Sequence, residues 1–308
     1  MTRSAPTAQD RGGVQSLLQL CSRFTQINPK RLLLLPGVFW LLFFVCLPLL
    51  GIMILSFCSR SSYGEIQTPL SFSNYWRLLG FGILGFNPIH VKIFIRTVGL
   101  SALSTMLCII LGTPLAFWIA RHNKRIRNTL LVLVTIPLWT NLMIRTYAWQ
   151  IILAPNSILS DLARYIGAID RGEGLYPGTG ATLVGLFFDY LPFFVLPLYA
   201  SVERIDWRIW EAAIDLGARR WRAFRHGILP QIMPGLATAI TLVFVPALGQ
   251  FVIPDLLGGS IAILTGNSIA QQFGASRDWP FGAAIASTQI VIVFIFLAYL
   301  RRHAIDKD

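Results

Sequence analysis

The chain is 308 residues long, 55% hydrophobic and only 13% charged. A soluble domain carries about 25% charged residues, so this composition excludes a disordered chain, a solenoid of charged helices and most water-soluble enzymes. A mean hydropathy of +0.62 together with a formal charge of +12 describes an integral membrane protein with basic loops.

A helix needs about 20 largely apolar residues to cross the hydrocarbon core. The first 31 residues are polar and carry five basic groups, Arg3, Arg11, Arg23, Lys30 and Arg31. The first charge-free run, Leu32–Phe57, begins after this tail and has no small-residue cleavage pattern behind it, so it reads as an uncleaved anchor. Thr97–Ala120 is the second span. Asn128–Ser160 is the third, broken only by Arg145, and Leu175–Val202 the fourth, broken only by Asp189. Gly227–Pro254 and Trp279–Leu300 complete six. The uncharged stretch Leu256–Ser276 is rich in Gly, Ser, Asn and Gln and suits a loop or a short surface helix better than a lipid-facing span. The expected organisation is a tail over 1–31, a membrane domain over 32–302 containing a long loop at 203–230, and a short tail over 303–308.

Basic residues orient the spans, because Lys and Arg gather on the cytoplasmic side. The N-terminal tail, the 121–128 and 203–230 loops and the residues after Leu300 together hold 18 of them, against 6 in the loops of the other face. Both termini are therefore expected in the cytoplasm. Four dispersed cysteines, Cys21, Cys46, Cys58 and Cys108, make neither a disulfide framework nor a zinc site, and four scattered histidines add no metal centre. No phosphate-cradling G-x-x-x-x-G-K-[ST] string and no G-x-S-x-G string occurs, so no catalytic residues are assigned and any ATP must be handled elsewhere.

The 203–230 loop is nearly 30 residues long and is built as helix–turn–helix. Glu211-Ala212-Ala213-Ile214-Asp215-Leu216 forms helix readily, Gly217 suits a left-handed cap, and a basic helix runs from Ala218 towards Gly227, with Pro230 and Pro234 ahead of the next span. On spacing alone it is either an amphipathic helix lying at the headgroups or a docking element whose small residues let a partner approach. The string Glu211, Ala212, Ala213, Gly217, Leu229 and Pro230 resembles the EAA loop of the membrane subunits of bacterial ABC importers, with Gly227 where that family usually has Ile. Ile136-Pro137-Leu138-Trp139-Thr140-Asn141, Arg145-Thr146-Tyr147-Ala148-Trp149, Leu191-Pro192-Phe193, Pro254-Asp255-Leu256-Leu257-Gly258-Gly259 and Arg277-Asp278-Trp279-Pro280-Phe281-Gly282 look like the spermidine/putrescine permease group.

The resemblance implies an all-α fold of six transmembrane helices, of the type I importer permease kind, in the bacterial inner membrane. It implies that Glu211, Ala212, Ala213 and Gly217 form a cytoplasmic coupling loop seated on an ATPase. The implied partners are two cytosolic ATPase subunits, which would bind ATP and Mg, a second homologous permease subunit and an extracytoplasmic solute-binding protein. The chain itself would hold no cofactor and no metal, bind no nucleic acid and be no enzyme. Ferric ion, sulfate, an opine or an organophosphonate are the alternative solutes, and a membrane-embedded enzyme or scaffold the alternative class.

Ionisable groups within spans cost about 2.5–3.5 kcal/mol on insertion scales and usually face protein or water. Asp189, flanked by Tyr190 and near Phe187, Phe188, Phe193 and Phe194, has the chemistry to receive an organic dication through charge and cation–π contact. It is equally suited to pairing with Arg145, whose own positive charge fits a structural role. Asn141 lies four residues before Arg145 and is expected on the same, interior face. Tyr147 and Trp149 on that span, and Gln250 and Asp255 at the end of the fifth, are the other candidates for the solute path.

Overall fold

The computed structural model describes residues 29–61, 66–67, 70–82, 85–167, 169 and 174–304. Most of the expected N-terminal tail, with Arg3, Arg11 and Arg23, and the end of the C-terminal tail lie outside the described residues. The chain divides into two units, 1–54 and 55–308.

In the first unit, α1 (Pro29–Ser56, running to the boundary) has apolar side chains on every side and a mean hydropathy of 2.8 over its membrane-length part. Leu41, Phe44 and Leu47 each expose more than half their surface, as a helix does when its solvent is lipid.

The second unit opens with two minimal hairpins, β1 (Ser59–Arg60) with β2 (Ile66–Gln67) and β3 (Phe81–Gly82) with β4 (Gly85–Phe86), on either side of the short α2 (Ser73–Leu78). The spans are α3 (Ile89–Ala120), the pair α4 (Lys124–Trp139) and α5 (Leu142–Ile152), α7 (Thr179–Val202), α9 (Arg220–Gly249) and α11 (Trp279–Ala304). Between them lie α6 (Ile158–Tyr165), α8 (Trp207–Asp215) and α10 (Thr265–Phe273). Among the described residues, five helices, α1 included, are long and apolar enough to cross a bilayer, and the bent pair α4–α5 makes six.

The core forms around α7, whose Leu186, Phe194, Val195 and Leu198 have no exposed surface. Cys108, Ala116 and Ile119 of α3 and Ala239, Val243 and Ala247 of α9 are equally enclosed. Small residues let backbones approach where lipid offers no hydrophobic drive between helices. Gly235 of α9 is the tightest case: a Cβ there would lie 2.5 Å from Ser201 Cβ and 3.1 Å from Pro197 O of α7.

Two of the long helices widen into a π turn at Cys108–Gly112 and at Phe224–Ile228. Each π turn ends two residues before a proline, Pro114 and Pro230. A proline ring collides with the carbonyl four residues back, and an inserted residue relieves that collision while keeping the helix continuous.

Three expectations need correction. The third span is not one helix over 128–160: it breaks after Trp139 with a bend of 95° and ends at Ile152, and 158–165 is the separate α6. The basic limb of the 203–230 loop does not stop near Gly227 but runs through its π turn into α9 as one 30-residue helix. The stretch 256–276 does contain a short helix, α10, yet its first turn is buried rather than superficial. Thr265 donates its N–H and its hydroxyl to Thr97 Oγ1 at 2.9 and 2.8 Å, and Asn267 Nδ2 donates to Phe251 O at 2.8 Å.

Leucine at Gly235 should overpack the α7–α9 contact, at a cost of about 1–3 kcal/mol. Thermal unfolding of the detergent-solubilised subunit should show a lower melting temperature for Gly235→Leu. Gly37→Leu, where a side chain meets nothing within 4 Å, should leave it unchanged.

Candidate functional site

The break in the third span is written into its residues. Pro137 offers no N–H in the last turn of α4, and Thr140 folds back on it, donating from N at 3.3 Å and from Oγ1 at 2.8 Å to Pro137 O. Asn141 then takes an extended backbone and caps α5, its Oδ1 accepting from Met143 N at 2.8 Å. A helix end inside lipid leaves carbonyls without intrahelical donors; Pro137 O is met by Thr140 from within the break and also, from α5, by Arg145 Nη1.

The other end of the same guanidinium, Nη2, forms an ion pair with Asp189 Oδ1 on α7. The Arg145 side chain is 17% exposed and the Asp189 side chain 9%. One side chain thus joins the end of α4, the body of α5 and the middle of α7, and the pair carries no net charge into the apolar region. Of the two sequence readings of Asp189, the pairing with Arg145 is present here.

Beside the pair, Tyr190 is buried and its hydroxyl accepts a hydrogen bond from Gln250 Nε2 at 3.3 Å. Gln250 stands at a second break, after α9, where its Oε1 accepts from Phe251 N at 3.0 Å and Val252 N at 3.2 Å. Asn141 and Gln250 therefore do the same work, a carboxamide satisfying the first N–H groups past a break. Trp149 stacks on Phe188 with ring centroids 4.4 Å apart. Tyr147 is 51% exposed. Asn141 is also exposed, so the expectation that it shares an interior face with Arg145 is corrected: it precedes α5 and serves as its cap. Asp255 is exposed in the π turn Pro254–Gly258 and makes no ion pair among the described residues.

Sequence reasoning missed several joints. Gln150 Nε2 donates to the Tyr176 hydroxyl, and Arg96, like Arg145, gives its guanidinium to a backbone carbonyl, that of Ile261. Asp278, in the string that ends at Gly282, pairs with Arg77 at 2.6 Å, and the Arg77 guanidinium lies 4.1 Å from the Phe281 ring centre.

At the other end of the spans, Asp206 caps α8 by accepting from Arg208 N at 3.1 Å. Gly217 closes the helix at φ +80°, with Gly217 N on Ile214 O at 2.9 Å and Ala218 N on Ala213 O at 3.0 Å. That pair of bonds needs a left-handed residue at its centre, which glycine adopts without strain. Glu211 and Ala212 are exposed, Ala213 half-buried, and Leu216 and Trp221 are 89% and 71% exposed. Gly227 lies against α8, where a Cβ would meet Ile209 Cγ2 at 3.4 Å.

Residues 112–308 match the family described as the binding-protein-dependent transport system inner membrane component. The chain is 36% identical over 270 residues, 87% of its length and 92% of the other, to the spermidine/putrescine transport system permease protein PotB of Haemophilus influenzae. It is 37% identical over 263 residues, 85% and 93% of the two chains, to the protein of the same description from Escherichia coli K12. The fold matches a chain of a crystal structure of a bacterial ABC transporter involved in the import of the acidic polysaccharide alginate, with TM-score 0.67, 18% identity and coverage of 94% and 100%.

Removing one member of a buried ion pair costs about 3–5 kcal/mol because the other charge stays behind, whereas an apolar replacement of both is far milder. Arg145→Met and Asp189→Leu should each lower the melting temperature of the purified subunit more than the double variant does. Equal or additive losses in the double variant would show that the two charges are not coupled.

Proposed function

The chain belongs to the family of inner membrane components of binding-protein-dependent transport systems, and from that premise we propose that it is a translocating subunit of an ATP-driven importer of polyamines. It is a multi-pass inner-membrane protein, a transporter component and not an enzyme, and it works with a solute-binding protein. The observation that carries the solute class is its likeness, over 85–87% of its length, to permeases described as spermidine/putrescine transporters.

Energy enters through α8. The exposed Glu211-Ala212 edge, the small Ala213 and the Gly217 cap form a thin helical surface on which an ATPase subunit seats, with the exposed Leu216 and Trp221 beside it. Two ATPase subunits bind ATP and Mg, and a second homologous permease completes the path. The excess of basic residues on the face that bears this loop supports cytoplasmic termini.

The solute path runs past Asp189. In the state described, Arg145 occupies the carboxylate and closes the path to cations. When the spans open, an ammonium group of the solute takes the place of the guanidinium on Asp189, with the Trp149–Phe188 stack and Tyr190 offering aromatic faces to the methylene chain between the charges. The polar groups at the two breaks, Asn141 and Gln250, and the exposed Tyr147 and Asp255 lie along the same course.

The test is uptake of labelled spermidine and putrescine into proteoliposomes holding the complete transporter, set against ferric ion, sulfate and amino acids. ATP-dependent polyamine uptake that needs the binding protein is expected, and saturating uptake of another solute instead would overturn the solute class. Glu211→Lys and Gly217→Val should each reduce uptake at least tenfold while the subunit stays in the membrane and still binds solute-loaded binding protein. Asp189→Asn should depress polyamine uptake strongly, and unimpaired uptake in that variant would remove Asp189 from the path.

A further inference from the structure

We propose that the cleft between the last turns of α3 and the first turn of α8 binds the phosphate end of an anionic phospholipid. The cleft has a volume of about 540 Å³, and its walls include Phe117, Trp118, Arg121, Trp207, Trp210 and Phe224. Phe117 lies at its centre, with ring centroids 6.5 Å from Trp207 and 6.2 Å from Phe224. Above this aromatic wall stands one cation: the Arg121 guanidinium is 5.9 Å from the Trp207 ring centre. It is exposed and forms no ion pair among the described residues.

Depth selects the ligand. Arg121 is the residue at which the apolar α3 span ends, and Phe224–Ile228 is where the basic start of α9 gives way to its apolar length. The cleft therefore lies where hydrocarbon meets headgroups, with aromatic rings below and a guanidinium above, as aromatic belts and arginines are arranged at that level. Segment 114–128 holds Arg121, Lys124, Arg125 and Arg127 and not one acidic residue. On the facing helix, the Asp206 carboxylate is engaged in capping α8, and Glu211, one turn after Trp207 on the same face, is exposed and does not line the cleft. The site thus offers a charge-assisted donor to a phosphate and an apolar surface that a small soluble anion would leave empty. A phospholipid uses both.

This reading is independent of which solute is carried and of which face is cytoplasmic. Its consequence is that bilayer composition reaches α8, since the lipid shares a wall with Trp207 and Trp210.

The test uses the complete transporter, delipidated in detergent and titrated with phosphatidylglycerol or phosphatidylcholine, with bound lipid counted by native mass spectrometry. Wild type should hold phosphatidylglycerol roughly tenfold more tightly than phosphatidylcholine, as one charge-assisted contact provides. Arg121→Gln should bring the two lipids level, Arg121→Lys should retain part of the preference, and Trp118→Ala should weaken both. Arg301→Gln, on α11, should change nothing. Unchanged melting and elution of Arg121→Gln would separate lost binding from lost folding. No preference in the wild type, an undiminished preference in Arg121→Gln, or full displacement of the lipid by inorganic phosphate would each overturn the proposal. Lipid held by the transporter stripped of its ATPase subunits but absent from the complete transporter would also overturn it, by assigning the cleft to a protein partner.

Discussion

Inside a bilayer no water is at hand to satisfy a backbone that stops being helical, so a span can break only where the protein itself supplies the missing donors. Thr140 and Arg145 together meet that condition here. Arg145 reaches Pro137 O at the broken end of α4 and Asp189 on α7 at once. Without the guanidinium the carbonyl would lose a donor and the carboxylate its counter-charge. The 95° turn of α5, the position of Trp149 against Phe188 and the contact of α5 with the turn at Pro254–Gly258 all follow from that anchored break.

The same constraint explains how the two ends of the molecule are joined. From Arg220 to Gly249 the chain is one helix of 30 residues, about 45 Å long at 1.5 Å per residue. One end continues from the Gly217 cap beneath α8, and the other stops at Gln250, whose carboxamide touches Tyr190 next to Asp189. A displacement of α8 thus has a short and stiff route to the residues around the buried carboxylate. The π turn at Phe224–Ile228 is the place along that rod where the hydrogen-bond ladder widens without breaking.

The spans were legible in the sequence because lipid demands long runs without charge, and Leu32–Phe57 or Trp279–Leu300 satisfy that demand in composition alone. The Gly217 cap was legible because few residues tolerate its left-handed backbone. The break at Thr140 was not, since apolarity records depth but not direction; its trace was a proline at 137 followed by a capping Asn at 141, a pattern that marks helix ends in any solvent. The Arg145–Asp189 pair stood as one of two readings, because sequence places both charges in spans without saying whether α5 turns towards α7. The buried Thr97–Thr265 contact joins residues 168 positions apart, and nothing local in either threonine announces it.

The pairing also bears on how the chain enters the membrane during synthesis. A lone arginine or aspartate passing from the insertion channel into lipid meets a barrier of about 2.5–3.5 kcal/mol, and α5 emerges well before α7. The carboxylate that Arg145 pairs with in the folded chain, Asp189, is made 44 residues later. The segment from α4 to α7 is therefore released most easily as one bundle, held at the channel until its two charges have found each other.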